Sequence, residues 1–513
     1  MHSQSGASGM AGAMPAEWMP PEMLHFLAGD AVRTLTVRGP PGAGKTTFAL
    51  EVLEQFDGYR SFVSARVPRS KVLHDHPWLN EAQTPAVDVD EFLRYRGTDS
   101  TPGLRVGELR DALQARATDL VELSSVLALP KRLEQGLSVH GDQPKLVVID
   151  SWEAWVENVL GSSPLAIEVP TTRWELERSL LDRFGDLGAR VILVVEREEL
   201  SRLDYVVDGT LALTFSETDG RVDRWLSFRK LRGVEIRSLS YPFTLQDGRF
   251  HCIRPAPFHL ALIPPPEVPD PEPAAPGLWP GSPPLATRFG RLPIPGSTLF
   301  EVDDETPARL PWRLVLSAVT SALRSGGRVV IRPPSHLPAR EIWSALALLR
   351  GSLDLEAALR VFSWEKDGTL PGTSEGPFLL VSDGGPAEAQ RAVERLESTG
   401  FFVQAMPPEA RSLAVIFVES TVETPSNSAG LDPFLALADL ARRGGNFATL
   451  IVARTSDPFI EPIRARSTIH VLLSSSRGQF FLTGVRPWTP HFALTLPPSA
   501  DTTPSHFDLV PIV

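Results

Sequence analysis

The chain has 513 residues, room for roughly three domains or two large ones, and its 42% hydrophobic and 22% charged content is that of a globular protein with a real core. A formal net charge of -12 argues against a dedicated nucleic-acid binder, and no apolar run is long enough to span a membrane. The single cysteine, Cys252, excludes an internal disulfide and a cysteine metal cluster, and points to a reducing, cytoplasmic setting.

In chain order, residues 1–15 read as a disordered tail, because "MHSQSGASGMAGAMPAEW" lacks the basic start and apolar segment of a secretory signal. "TLTVRGPPGAGKTTFALEVLEQF", Thr34 to Phe56, predicts a strand, a glycine loop and an amphipathic helix. "RSFVSA" predicts the next strand, and "VGELRDALQARATDLVELSSVLALPKRLEQGL" carries apolar residues at helical spacing. "KLVVID" and "RVILVVE" are nearly continuous apolar runs, the pattern of parallel strands covered on both faces, with the helical "RWELERSLLDRFGDLG" between them. "GTLALTF" and "RWLSFRKLRG" flank an Asp-Gly turn signal and predict an antiparallel extension of that sheet.

Proline crowds residues 254–297, which reads as an extended, semi-rigid linker. Beyond it the alternation resumes with "GGRVVIRPPSHLPAREIWSALALL", "FLLVSD", "SLAVIFVES" and "NFATLIVAR", and "STIHVLLSSSRGQFFLTGVRPW" suggests a terminal strand pair. The shared order of elements predicts two copies of one α/β unit, at 16–253 and 298–513.

Gly39-Pro40-Pro41-Gly42-Ala43-Gly44-Lys45-Thr46 fits the phosphate-loop pattern, with Thr47 the next helical residue. Glycines let backbone N–H groups turn inward as an anion nest, and the helix behind them adds its positive end. Lys45 supplies a mobile charge for the β- and γ-phosphates and Thr46 a hydroxyl for Mg2+. Asp150, ending "KLVVID", is the carboxylate expected to order the metal's water shell. The expected ligands are therefore ATP and Mg2+. No Asn/Thr-Lys-x-Asp base-reading motif of a GTPase occurs.

"GPPGAGKTTFALEVL", "KLVVIDSWEAW", "LDYVVDGTLALTF", "RWLSFRKLRGVEI" and "YPFTLQDGRF" together resemble the KaiC-like branch of RecA-type ATPases, over about Ala16 to Cys252. "FVSARVPRSKVLHDHPWL" and the weak second repeat look most like archaeal proteins of the GvpD type, gas-vesicle regulators. The resemblance implies two RecA/KaiC-like P-loop domains, the second degenerate. It implies ATP and Mg2+ on Lys45, Thr46 and Asp150, and a homo-oligomer in which Lys230 and Arg232 reach the γ-phosphate of a neighbouring subunit.

One departure matters. Where KaiC-like hydrolases carry a glutamate pair, this chain has Arg66 and Val67, and an arginine stays protonated and cannot serve as a base. Glu153 and Glu196 are the candidate replacement carboxylates. The expected function is an ATP-binding regulator with slow or partner-dependent hydrolysis. The alternatives are a ring ATPase with a relocated carboxylate and a recombinase-like DNA-repair ATPase.

In the second repeat the phosphate-loop position is expected at "IRPPSHLPAREIW", the finger counterpart at Arg486 and the metal carboxylate counterpart at Glu419. That unit is expected to bind no nucleotide, or to bind it weakly, and to serve assembly or contact with a protein partner.

Overall fold

The computed structural model describes residues 18–28, 33–79, 86–88, 131–141, 143–160, 170–199, 201–254, 270–334, 336–347, 354–363, 378–380, 386–401, 410–418, 438, 447–495 and 507–513. Most of the helical stretch expected before Lys131, the N-terminal tail and Glu419 lie outside the described residues. The chain divides into two compact units, Met1–Arg254 with Ile512–Val513, and Pro255–Pro511. Each is built on a mostly parallel sheet flanked by helices.

The first sheet holds β1 (Thr34–Arg38), β2 (Tyr59–Ser64), β3 (Ala86–Asp88), β4 (Lys145–Asp150), β5 (Ala189–Val194), β6 (Gly209–Thr218), β7 (Arg221–Leu231), β8 (Ser240–Thr244) and β9 (His251–Cys252). Their spatial order is β3-β2-β4-β5-β1-β6-β7-β8-β9. The first six are parallel, and β7 to β9 extend the sheet antiparallel as the Asp-Gly turn implied. At that turn Asp219 and Gly220 both have positive φ, at 53° and 71°, the geometry that suits the twist of a two-residue hairpin.

Helices α1 (Pro21–Ala28) and α2 (Lys45–Gln55) cover one face of this sheet; α3 (Arg69–Asp75) follows β2. The other face is covered by α4 (Lys131–Val139), α5 (Trp152–Leu160) and α6 (Pro170–Asp186), with α7 (Leu203–Val206) leading into β6. Leu146 to Ile149 of β4 are fully buried, as a strand covered on both faces requires. Among the described residues no helix is long and apolar enough to cross a membrane.

The second sheet holds β10 (Gly296–Val302), β11 (Val329–Arg332), β12 (Leu359–Ser363), β13 (Phe378–Leu380), β14 (Ser412–Phe417), β15 (Phe447–Arg454), β16 (Ile469–Ser476), β17 (Gln479–Arg486), β18 (His491–Thr495) and β19 (Asp508–Pro511). Its order is β13-β12-β11-β14-β15-β10-β16-β17-β18-β19. Remove the edge strand β13 and this is the first sheet's order, with the same switch from parallel to antiparallel after the sixth strand. Even the hairpin turn matches: Arg477 and Gly478 carry φ of 52° and 80°.

The proline-rich stretch departs from the linker expected over 254–297. Residues 270–297 fold into the second unit: Leu278 pairs with Leu292 in a β-bridge, and α8 (Pro283–Phe289) lays Leu285 and Phe289 into the core. Proline is tolerated in a helix's first turn, where its missing N–H has no partner to lose, so "SPPLATRF" starts a helix.

Among the described residues the second unit also holds helices α9 (Leu310–Arg324), α10 (Ala339–Ala347), α11 (Leu355–Ala358), α12 (Pro386–Ser398) and α13 (Ile460–Arg466). The central one, α9, is buried almost all round, with Trp312 fully buried, and occupies the place that α2 holds in the first unit.

Candidate functional site

Arg38, at the end of β1, leads directly into the loop 39–44. Gly39 has φ of 150°, and a Cβ there would sit 2.1 Å from the Leu213 carbonyl oxygen, so no other residue fits without moving β6. Gly42 and Gly44 also take positive φ, and Gly44 precedes α2 as its N-cap residue, with no side-chain cap. Its first-turn N–H groups are therefore open to an anion. Lys45 folds back over the loop, with Nζ donating to the Gly39 and Pro40 carbonyls at 2.6 and 2.9 Å. Pro41 lies on the loop's outside and Ala43 is buried beneath it.

Thr46 Oγ1 donates to Asp150 Oδ2 at 2.6 Å, which brings the two residues expected to share a metal into contact. Burial pushes the Asp150 carboxyl up from its ordinary value, while the Thr46 hydroxyl and the Lys45 ammonium pull it back. Burial likewise lowers Lys45, against the attraction of Asp150, Glu196, Glu153 and Glu198. A divalent cation between Thr46 and Asp150 would offset that desolvation cost of the carboxylate. Thr47 turns aside toward His76, its Oγ1 3.5 Å from Nε2.

The hydrolytic candidates are all engaged. The Glu153 carboxylate, buried on α5, accepts the Glu196 backbone N–H with both oxygens at 3.2 Å. Glu196 pairs with Arg66 Nη1 at 2.5 Å, so the arginine that stands in place of the glutamate pair holds one of its proposed replacements.

Lys230 and Arg232 are engaged too, with their own chain. Lys230 Nζ donates to the Asp204 and Val207 carbonyls at 2.9 and 2.5 Å, and Arg232 Nη2 to the Tyr205 carbonyl at 2.9 Å. Both cations thus cap the C-terminal end of α7, where orphan carbonyls favour positive charge.

Two arginines near the loop gave no sequence signal. Arg224, on β7, donates to the Gly42 carbonyl at 3.2 Å. Arg38, 2% exposed, makes a buried bidentate pair with Asp204, Nε–Oδ1 2.9 Å and Nη2–Oδ2 2.7 Å. Both contacts join residues far apart in the chain, beyond any local periodicity.

In the second unit the matching strand order relocates the loop. β10, not β11, takes the place of β1: the Thr455 N–H donates to Val302 O as the Val195 N–H does to Val37 O. The phosphate-loop counterpart is therefore residues 303–309, "DDETPAR", ahead of α9, and "IRPPSHLPAREIW" corresponds instead to the segment after β2. No glycine remains there, and the Asp303 carboxylate itself takes the N–H groups of Thr306 and Ser475, at 2.7 and 2.6 Å. The cavity at this strand end, lined by Val302, Ala308, Pro311, Phe417, Val452 and Arg454, measures about 110 Å³. Arg486 sits in Lys230's register, opposite the second residue of β16, and likewise donates to a backbone carbonyl, that of Ser467.

The buried charge pair is reversed in the second unit. Glu301 of β10 receives Arg464 Nε and His470 Nε2, each at 2.8 Å. Burial would raise its carboxyl, but the hydrogen bonds from His470 and Arg464 outweigh it and hold the group at about 2, down from 4.5. A depressed carboxyl stabilises the fold above its unfolded value and loses that contribution as pH falls. Urea midpoints of the second unit should therefore drop as pH falls from about 4.5 to about 2, and Glu301→Gln should flatten that segment of the profile.

A glycine loop after a parallel strand, a lysine folded into it and a threonine bonded to the carboxylate of a second strand define a P-loop nucleotide-binding domain. Residues 23–229 match the family model described as GvpD gas vesicle protein, P-loop domain. The chain is similar to Protein GvpD2 of Halobacterium salinarum (strain ATCC 700922 / JCM 11081 / NRC-1), at 30% identity over 249 residues, covering 46% of this chain and 44% of that protein. It is similar to Protein GvpD1 of the same organism at 31% identity over 240 residues, covering 46% of this chain and 41% of the relative. The chain thus spans less than half the length of these curated relatives. The family match falls within the first unit, and the likeness is to GvpD-type P-loop proteins.

Proposed function

We propose that this chain is an ATP-binding regulatory protein whose first unit takes Mg·ATP and hydrolyses it slowly. The observation that carries the reading is a complete loop, with Lys45 and the Thr46–Asp150 contact in place, beside an Arg66 that occupies the position of the base. The loop N–H groups and Lys45 would hold the phosphates, and Thr46 and Asp150 the metal. The metal would supply charge neutralisation on the phosphate oxygens. Lys230 and Arg232 stabilise α7 within the chain in this reading, and the second unit serves assembly or contact with a protein partner.

In the second unit the loop counterpart 303–309 carries neither glycine nor lysine, and its Asp303 carboxylate takes the Thr306 and Ser475 N–H groups, which argues against a phosphate there. Calorimetric titration with Mg·ATP should accordingly return one site per chain, weakened by about 100-fold or more in Lys45→Ala. Two sites, or an affinity that the substitution leaves unchanged, would overturn the reading.

A second reading, a ring ATPase that uses Glu196 as its base, draws on the electrostatic reach of Glu196 to both Lys45 and Asp150. Steady-state phosphate release that rises per subunit with protein concentration, and is lost in Lys45→Ala, would favour it.

A further inference from the structure

The geometry points to Arg66 as the residue that tells a bound nucleoside triphosphate from a diphosphate, by leaving Glu196 for the terminal phosphate. This deepens the functional reading above and rests on it.

The register sets the arrangement. Ser64 of β2, Asp150 of β4 and Val194 of β5 stand side by side across three neighbouring strands. Arg66 and Glu196 each lie two residues beyond that row, one on either side of Asp150. Strands are about 4.8 Å apart, so a contact between β2 and β5 crosses about 10 Å, over the end of β4. The Arg66–Glu196 pair therefore bridges the strand end that presents Asp150, and both groups act electrostatically on that carboxyl.

The two backbones are bolted while the two side chains are free to exchange partners. The Ala65 N–H donates to the Asp150 carbonyl at 2.6 Å, and Ser64 Oγ closes the turn on Val67 through its N–H at 3.2 Å and its carbonyl at 2.5 Å. Glu196 is fixed by the Glu153 carboxylate on its N–H, and the Val195 N–H by the Val37 carbonyl at 2.9 Å. The Arg66 and Glu196 side chains are 53% and 38% exposed, and an ion pair so open to water is weak. A guanidinium offered a phosphate gains a doubly charged, bidentate partner, which is the stronger contact.

Thr46 and Asp150, in direct contact, place the metal-binding corner of the loop at this same strand end. A third phosphate would compete with Glu196 for Arg66; a diphosphate would leave the pair closed. Arginine at this position gives up base chemistry and gains a reader of the terminal phosphate.

The test is calorimetry of the full chain with Mg·ADP and with the Mg complex of the non-hydrolysable β,γ-imido analogue of ATP. Wild type should prefer the triphosphate. Arg66→Ala should lose about tenfold to hundredfold in triphosphate affinity, with ADP affinity within about twofold of wild type. Glu196→Gln, which removes the competing carboxylate, should tighten the triphosphate by a few fold and leave ADP unchanged. Equal affinity of wild type for the two nucleotides, or equal loss of both in Arg66→Ala, would overturn the assignment. Wild-type binding no stronger than Lys45→Ala for either nucleotide fails the functional reading as well. Lys45-dependent binding with an unchanged ratio in Arg66→Ala fails this assignment alone.

Discussion

Lys45→Ala should weaken Mg·ATP binding by about 100-fold or more while leaving the unliganded fold intact. The size follows from what the ammonium does. Without ligand its only neighbours in the loop are two carbonyls, Gly39 O and Pro40 O, which keep Nζ over the nest. With a triphosphate it becomes a mobile cation among N–H dipoles, and a charged hydrogen bond to each of two phosphates accounts for two decades in affinity. The fold loses little, because burial already disfavours the charged lysine and the loop shape rests on Gly39 against Leu213 O rather than on the side chain. Titration calorimetry reads the affinity, and the thermal midpoint without nucleotide reads the fold. A midpoint that drops by more than a few degrees would assign Lys45 a structural role in place of a binding one.

The first unit's candidate site is largely legible because the patterns that mark it are local. A phosphate loop spans eight residues, and β4 announces itself as a run of apolar residues ending in Asp150. The hairpin was legible for the same reason, since Asp219–Gly220 is a two-residue turn that needs positive φ at both positions.

In the second unit the sequence pattern points one strand away from the loop counterpart that the sheet order identifies. β10, "GSTLFEV", starts at the end of the proline-rich stretch and stands out by no motif of its own, and its loop carries aspartates where glycines would mark it. Only pairing settles the matter: β10 lies between β15 and β16, as β1 lies between β5 and β6. The proline signal misled in the same place, because it reports a missing N–H and not exposure. Leu278, Trp279 and Phe289 are buried regardless. Arg66 and Glu196 are each legible in the sequence, but their pairing is not, since the two meet only through the β2-β4-β5 register.

Asp204→Ala should cost the first unit about 3–5 kcal/mol, because it leaves the Arg38 guanidinium buried without its counter-charge. The aspartate is a hub. Besides both arms of Arg38 it accepts the Ser201 N–H at 2.6 Å and the Thr210 hydroxyl at 3.3 Å, tying β1, β6 and the approach to α7 together. The remaining Arg38 partners, the carbonyls of Arg197 and Glu199 and the Ser201 hydroxyl, satisfy hydrogen bonds but supply no charge. A loss of that size is a large share of the roughly 5–15 kcal/mol that holds a domain folded. It should also reach the nucleotide, since Arg38 is the residue from which the phosphate loop departs. Hydrogen exchange of β1 and β4 peptides, followed through urea, isolates the first unit from the second. The control is Arg38→Met with Asp204→Leu, which removes both charges together: buried pairs replaced by apolar residues of similar volume are often no less stable than the originals. Protection that returns in the double variant and not in Asp204→Ala would show that the cost lies in the orphaned charge. Equal loss in both would instead place it in the hydrogen bonds to Ser201 and Thr210, and make Asp204 a structural polar hub rather than a counter-ion.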